Sequence, residues 1–357
     1  MRLYHKHLSF LIILSIILAL IFIIFIFLTS ASHSTIQSST KTLSKENFVL
    51  GTIVTITLYD HQSEELLDSA FNKLTELENI LSINKTNTLI DSINSNAGIS
   101  PVVVDESTYH LIEKGIYYSK LTSGAFDLTI GPIVKLWDIS FPSARIPSNS
   151  EIQEKLSLVD YRLITLDEAN HSVYLNKRGM CLDLGGIGKG YAADEVAQLL
   201  KNAGVQRALI NLGGNIYALG DKPSREPWTI GIQNPFSSRG NTIGTIHITN
   251  QSVVTSGIYE RYITDKDGTT YHHILNPDTG YPFTNDIAGV TIVSDFSTDG
   301  DALSTAAFAL GVENGLSFIE KLNGIDAIFI TTDKKIYVTS GIKGNFRLQD
   351  HDFKLYN

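Results

Sequence analysis

An uncharged apolar stretch near the N-terminus limits the ways in which this chain can fold. Leu8 to Leu28 contains no charged residue and only two serines, and about 20 such residues are enough for a helix to cross a bilayer. Arg2 and Lys6 precede the stretch, and basic residues usually remain on the cytoplasmic side. We therefore predict a single membrane anchor over residues 1–29, with the remaining chain held outside the cytoplasm at the cell membrane.

The alternative interpretation of this stretch is a cleaved signal peptide. Signal peptides have a shorter apolar region of about 7–15 residues, although the small residues of "TSAS" that follow could still be cleaved. Residues 30–44 are rich in Ser and Thr and predict a flexible linker. The folded domain is then predicted to occupy residues 45–357.

Composition and cysteine content exclude several classes of protein. The net charge of −9 gives no support for a nucleic-acid surface, which needs clustered Lys and Arg. Cys181 is the only cysteine in the chain, so an intramolecular disulfide is impossible, and no cysteine follows the apolar stretch to carry a lipid. The sequence contains no G-x-S-x-G and no H-E-x-x-H motif, which argues against serine hydrolases and zinc proteases.

Hydrophobic periodicity predicts a mixture of strands and helices. Alternation over Val49–Asp60 predicts a strand, and the apolar residues from Leu66 to Leu81 recur at helical spacing behind Ser63 as the N-cap. Further helices are predicted over Ala192–Ala203, Asp301–Leu310 and Glu313–Leu322, and a closing hairpin over Ile325–Gly341. Strands and helices do not alternate as regular βαβ units, so the predicted fold class is α+β.

The stretch "CLDLGGIGKGYAAD", from Cys181 to Asp194, is the strongest indication of a ligand. It places Asp183, four glycines and Lys189 directly before a predicted helix, and unpaired N–H groups at a helix N-terminus bind phosphate. The spacing matches neither a P-loop nor a G-x-G-x-x-G dinucleotide motif. It predicts a phosphate-bearing ligand, and the alternative is a tight turn that packs the helix on a sheet.

Two further segments contain candidate polar groups. Asp301 and Thr305 are four residues apart, so a helix would present both oxygens on one face, and such hard ligands suit Mg²⁺ or Ca²⁺. The alternative is that Asp301 caps its helix and Thr305 is a core hydroxyl. His272 and His273 would point to opposite sides of a strand, so we expect one to face a pocket and the other to be structural.

Several distinct motifs follow one another along the chain, namely "LGT" at Leu50–Thr52, "GAFDLTIGPIVKLW" at Gly124–Trp137, "LDLGGIGKGYAAD", "NLGGNIYALG", "TSGIYERY", "YHHILNPDTGYP" and "DALSTAAFALG". In this order they resemble the motifs of the ApbE family, the FAD:protein FMN transferases. The resemblance extends from about Asn47 to the last predicted strands. It implies an ApbE-like fold of mixed sheets with packed helices.

The resemblance also implies an activity and a set of site residues. Family members bind FAD with Mg²⁺, cleave its pyrophosphate, transfer FMN through a phosphoester to a Thr or Ser of an acceptor protein and release AMP. By similarity, His273 and Asp301 would be catalytic, with His273 helping to deprotonate the acceptor hydroxyl. The implied metal ligands are Gly186 through its carbonyl, Asp301 and Thr305. The implied flavin-nucleotide contacts are Leu50, Asn84, Ala125, Phe126, Asp127, Asp183, Lys189 and Ile274.

Two positions depart from the family pattern. Leu50 replaces a frequent Met, and Asn84 occupies the stretch where many members carry a Tyr. Members with Asn in this region include enzymes that hydrolyse FAD to FMN and AMP as well as transferases. The leading hypothesis is therefore an extracytoplasmic transferase acting on proteins of electron-transfer systems. The alternatives are a Mg²⁺-dependent FAD pyrophosphatase and a non-enzymatic FAD carrier.

Overall fold

The computed structural model of the chain describes residues 42–356. The predicted anchor (residues 1–29) and nearly all of the predicted linker (residues 30–44) lie outside the described residues. The helices of the described part are α1 (Glu64–Leu81), α2 (Leu89–Ser95), α3 (Glu106–Leu121), α4 (Gly131–Trp137), α5 (Asn149–Leu156), α6 (Gly188–Asn202) and α7 (Ser297–Ile319).

A nine-stranded sheet forms the centre of the described part, and three small sheets accompany it. The strands are β1 (Leu43–Val49), β2 (Thr52–Leu58), β3 (Val102–Val103), β4 (Ile164–Asp167), β5 (Ser172–Leu175), β6 (Ala208–Leu212), β7 (Asn215–Leu219), β8 (Trp228–Gln233), β9 (Thr242–Ile248), β10 (Gln251–Gly257), β11 (Tyr262–Thr264), β12 (Thr270–His272), β13 (Ile287–Ser294), β14 (Asp326–Thr331), β15 (Lys335–Val338), β16 (Arg347–Leu348) and β17 (Lys354–Tyr356).

The central sheet has the strand order β1-β2-β6-β7-β10-β13-β14-β15-β17. Its pairs are antiparallel except for β15 with β17. The small sheets are β11-β12, β16-β9-β8 and β3-β5-β4. The architecture is thus α+β, as predicted, and the predicted closing hairpin over Ile325–Gly341 is confirmed by β14 and β15.

The strand predicted over Val49–Asp60 is present as β2 (Thr52–Leu58), but its predicted start at Val49 is wrong. The chain reverses at Leu50 and Gly51, whose φ angles are 55° and 68°, and β1 pairs with β2 across this turn. Two successive positive φ angles are typical of the type I′ turn, whose twist suits a hairpin. The alternation continued through the turn, so the pattern alone concealed the reversal.

The two faces of the central sheet have separate hydrophobic cores. One core packs α1, α6 and α7 against the sheet and contains Leu67, Ala192 and Ala306. The other packs strands β8 and β9 against the opposite face, through residues such as Ile230 and Ile246. Among the described helices, α7 is long and apolar enough to cross a membrane, but it packs against β10 and β13 as a core helix does.

Candidate active site

Helices α6 and α7 cap each other's N-termini. Neither the N-cap residue of α6, Ile187, nor that of α7, Phe296, provides a side-chain hydrogen bond. Instead, Asp301 Oδ2 on α7 accepts from the Gly190 N–H of α6 at 2.9 Å. Asp194 on α6 accepts from the N–H groups of Ser297 and Thr298, both at 2.8 Å. Each helix therefore supplies the carboxylate that satisfies the other's free N–H groups.

This arrangement corrects two predicted helix boundaries. Helix α6 begins at Gly188, not at Ala192, and α7 begins at Ser297, not at Asp301. Two helices meet at the non-helical backbone of Gly311 within α7, so the predicted pair of C-terminal helices is confirmed. Asp301 therefore lies inside its helix, and the alternative that it merely caps that helix is wrong, since it caps α6 instead.

Glycine at position 190 allows the two helices to approach closely. A Cβ atom at Gly190 would lie 2.2 Å from the carbonyl oxygen of Ser297, which no side chain tolerates. The glycine stretch therefore has the packing role that the sequence analysis gave as its alternative, since Gly190 lets α6 pack closely against α7. It also presents the start of α6 to the polar groups of α7.

Lys189 provides the positive charge next to the buried carboxylate of Asp301. The Asp301 side chain is 4% exposed, and its Oδ1 lies 3.2 Å from Lys189 Nζ. The same ammonium donates to the carbonyl oxygen of Gly185 at 3.4 Å. A carboxylate this deeply buried needs a nearby cation, because isolated buried charge is costly.

Gly186 lies close to Thr305, which is on the same helix as Asp301. A Cβ atom at Gly186 would lie 3.7 Å from Thr305 Oγ1 and 3.0 Å from the Phe126 ring. Thr305 lies one turn after Asp301 on α7, and its hydroxyl is 3.4 Å from Ser256 Oγ. The glycine loop, the "GAFD" loop and the polar face of α7 therefore meet. Among residues 42–356, no group of three or more His, Cys, Asp or Glu side chains is placed to hold a metal.

The carboxylate of Asp127 organises the "GAFD" loop. Its Oδ1 accepts from the N–H and hydroxyl of Thr129, at 2.8 and 2.7 Å, and its Oδ2 accepts from the Tyr161 N–H at 3.0 Å. Burial raises the pKa of this carboxyl, while these hydrogen bonds act in the opposite direction. Ala125, half-buried, and Phe126, buried, are thereby fixed beside the glycine loop.

Asp183 lies among several cations. Burial raises the pKa of the Asp183 carboxyl, whereas the Gly185 N–H bond and the charges of Lys135, Lys189 and Arg261 act to lower it. The Gly185 N–H donates to Asp183 Oδ1 at 2.7 Å. Lys189 also pairs with Asp301, so three positive side chains face the two carboxylates of Asp183 and Asp301, and such a group of cations suits a phosphate-bearing ligand.

The adjacent histidines have different environments. Both ring nitrogens of His272 are engaged, because Nε2 donates to the Phe283 carbonyl at 3.0 Å and Nδ1 accepts from the Ile274 N–H at 3.3 Å. His273 donates from Nδ1 to the Arg261 carbonyl at 3.1 Å. Because a carbonyl only accepts, Nδ1 bears the proton and Nε2 keeps a free lone pair. His272 is therefore structural, as expected of one of the pair.

The ring of His273 is neutral at physiological pH. Burial, supported by the charge of Arg261, lowers the pKa of His273 to about 4. A neutral imidazole with Nε2 unprotonated can accept a proton. Arg261 also reaches the Gly51 carbonyl, with Nη2 at 3.5 Å, and so joins the turn at Leu50 and Gly51 to the site.

The remaining predicted flavin contacts form no hydrogen bond with the glycine loop or with α7 among the described residues. Leu50 is half-buried in the β1–β2 turn, and Ile274 is buried in the main core beside His272. Asn84 is exposed in the loop after α1, and its N–H donates to Ser82 Oγ at 3.2 Å. A cleft of about 600 Å³, lined in part by Lys201, Tyr217 and Phe296, contains none of the predicted site residues.

Sequence reasoning missed the roles of several residues. The sequence patterns assign no function to Asp194 and Arg261, which lie within the quoted motifs, or to Lys135 and Glu78. Their partners are distant in sequence, such as Ser297 for Asp194, so spacing could not reveal the contacts. The only available signal was the presence of charged residues inside otherwise apolar motifs.

Comparisons with known proteins show which family and which structures this chain is similar to. The model of the ApbE family matches residues 50–329. A relative from Klebsiella pneumoniae (strain 342), named FAD:protein FMN transferase, is 39% identical over 319 residues, covering 89% of this chain and 98% of its own. A Treponema pallidum (strain Nichols) relative of the same name is 36% identical over 336 residues, covering 89% and 92%.

Solved structures share the fold. The ApbE protein of Thermotoga maritima has a TM-score of 0.79 and 31% identity, covering 86% of this chain and all of its own. The flavin transferase ApbE of Vibrio cholerae has a TM-score of 0.77 and 26% identity, covering 85% and 99%. The predicted mixed-sheet fold with packed helices is confirmed by both likenesses.

Proposed function

Because this chain belongs to the ApbE family, we propose that it is an FAD:protein FMN transferase that moves FMN to a Thr or Ser hydroxyl and releases AMP. The observation that carries the proposal is the convergence of the glycine loop, the Asp301–Thr305 face and the cations around Asp183. Such a site supplies hard oxygen ligands and positive charge together, which is what a pyrophosphate requires.

We further propose Mg²⁺ as the resident metal of this site. Asp301 Oδ1, Thr305 Oγ1 and the carbonyl of Gly186 would hold it, and this all-oxygen set fits a hard cation. The set contains one carboxylate, so phosphate oxygens of FAD would complete the coordination, as is usual for Mg²⁺. When bound, the ion would act as a Lewis acid on the pyrophosphate and neutralise its charge.

Lys189 exchanges partners in this scheme. Without substrate its ammonium contacts Asp301 Oδ1 and the Gly185 carbonyl. With substrate, a phosphate oxygen would compete for the same ammonium, as it would for Arg261 and Lys135. These residues bind and orient the pyrophosphate, so catalysis rests on positioning and electrostatic stabilisation.

His273 would accept the proton of the acceptor hydroxyl on Nε2. The hydroxyl oxygen forms a bond to the phosphorus of the FMN half, and the bond from that phosphorus to the bridging oxygen breaks. AMP leaves with the bridging oxygen. The Nδ1–H bond to the Arg261 carbonyl keeps the ring in the required tautomer.

We also propose a cellular location for the enzyme. The apolar stretch Leu8–Leu28 supports a single N-terminal membrane anchor with the catalytic domain outside the cytoplasm. A transferase anchored there would modify exported or membrane proteins of electron-transfer systems. Asn84 supports one alternative, a Mg²⁺-dependent pyrophosphatase that yields FMN and AMP.

The transferase proposal is tested with the purified full chain, FAD and Mg²⁺, with and without a Thr-containing acceptor from an electron-transfer complex. We expect covalent flavin fluorescence on the acceptor in a denaturing gel, AMP release in equal amount, and loss of both with EDTA. AMP and free FMN without labelled acceptor would instead support the pyrophosphatase. FAD binding without AMP release would support the carrier, and turnover unaffected by EDTA would exclude the metal.

Replacing Lys189 with alanine is expected to weaken FAD binding. Loss of a charge-assisted contact to phosphate costs about 1.5–3 kcal/mol, or roughly 10- to 150-fold in Kd. Flavin fluorescence quenching measures the affinity directly. Lys155→Ala, which removes a lysine paired with Glu154 on the surface, is the control and should bind FAD normally. Equal affinity in wild type and Lys189→Ala would show that the glycine stretch does not bind phosphate.

The low pKa of His273 predicts a pH-dependent contribution to stability. A folded-state pKa of about 4 lies below the ordinary value of about 6.5. The contribution is therefore fully present above about pH 6.5 and is lost as the pH falls towards 4. Thermal melts should show the wild type losing stability relative to His273→Gln across this window. Equal pH dependence of the melting temperature in the two proteins would contradict the lowered pKa of His273.

A further inference from the structure

A single carboxylate joins the β1–β2 turn to the loop after α1. Glu78 lies in the last turn of α1, and its side chain is 19% exposed. Its Oε1 accepts from the Leu50 N–H at 2.8 Å, and its Oε2 lies 2.5 Å from Lys85 Nζ. Lys85 is the neighbour of Asn84 and also donates to Asn79 Oδ1 at 3.0 Å.

The turn held by Glu78 contains an unfavourable backbone conformation. Leu50 has a φ of 55°, a left-handed conformation that is unfavourable for a leucine. Its N–H points to Glu78, while the next carbonyl, of Gly51, faces Arg261. The turn is therefore fixed from one side by Glu78 and from the other by Arg261, whose charge also acts on Asp183 and His273.

We infer that Glu78 is a positioning residue for FAD, setting Leu50 and the loop of Asn84 together as one wall of the flavin site. The inference rests on the proposed function and on the family resemblance, which implies that both residues contact the flavin. Two charge-assisted bonds from one carboxylate fix both segments relative to α1. Without Glu78, the Leu50 N–H would lose its acceptor and Lys85 would lose its ion pair.

The test compares variants of the full chain by direct FAD affinity, KM for FAD, kcat at saturating FAD and melting temperature. Glu78→Ala should raise the Kd and KM for FAD by about tenfold, the effect of one charge-assisted hydrogen bond, with kcat nearly unchanged. Glu78→Gln keeps an acceptor for Leu50 and should show a smaller rise, about threefold. Lys85→Met removes the ion pair with Glu78 and the contact with Asn79 but keeps the bond from Leu50 to Glu78, and it should resemble Glu78→Gln.

Glu76→Gln is the matched control, because Glu76 lies on the same helix and forms an ion pair with Lys73, at 3.3 Å. It should leave FAD affinity unchanged. A lower melting temperature in Glu78→Ala with unaltered Kd and KM for FAD would overturn the inference and leave Glu78 a purely structural residue. The Kd is measured without turnover, so a wild type that binds FAD but does not transfer FMN would refute the transferase proposal and leave this test intact.

Discussion

Asp301→Ala is expected to abolish turnover and to lower the melting temperature at the same time. The carboxylate is a proposed metal ligand, and losing such electrostatic stabilisation costs about 10²-fold or more in kcat. It is also the acceptor for the Gly190 N–H. A buried N–H left without a partner costs about 1–3 kcal/mol, so the substitution removes a helix cap as well as a ligand.

Asp301→Asn separates these two effects. The amide carbonyl of the asparagine can still accept from the Gly190 N–H, so the melting temperature should be mostly restored. The amide has no negative charge, however, so it cannot replace the carboxylate in binding Mg²⁺ and Lys189. We expect the Asp301→Asn protein to melt close to wild type and to remain inactive, as followed by differential scanning fluorimetry and AMP release. An active and stable Asp301→Asn enzyme would show that this carboxylate serves the fold alone.

Local patterns predicted the elements of this fold better than their ends. The periodicity from Leu66 to Leu81 and Ser63 as N-cap correspond to α1, where Ser63 Oγ accepts from the Leu66 N–H at 3.2 Å. The predicted start of the first strand is wrong because Leu50 adopts the left-handed turn conformation without being glycine or asparagine. The predicted starts of α6 and α7 are wrong because each helix is capped by a side chain of the other helix and not by its own preceding residue.

Contacts between residues far apart along the chain also limit how much of the site can be predicted from the sequence. The glycine loop, Lys189 and Asp301 carry chemistry that composition and spacing reveal, and the structure brings them together. Asp194 and Glu78 act through partners far along the chain, at Ser297 and Leu50. Such contacts depend on the packing of the whole domain, which no local pattern encodes.

Asp194→Ala is expected to destabilise the domain and to inactivate it, although Asp194 is not proposed to touch substrate. Its carboxylate accepts from the Ser297 N–H, the Thr298 N–H and the Thr298 hydroxyl, the last at 2.5 Å. Losing a buried cap with several donors should cost about 2–3 kcal/mol. The free energy of unfolding, or the melting temperature where unfolding is irreversible, measures this loss.

The substitution should lower kcat even at temperatures where the protein stays folded, because the first turns of α7 carry Asp301 and Thr305. Measured well below the melting temperature, Asp194→Ala should show reduced kcat with the protein still folded, while Asp194→Asn, which keeps an acceptor, should lie between it and wild type. The neighbouring Glu195, 4.0 Å from Lys73, gives the control variant Glu195→Gln, which should behave as wild type. If Asp194→Ala retained full kcat, fixing the start of α7 would not be a requirement of the site, and the reciprocal caps would serve packing only.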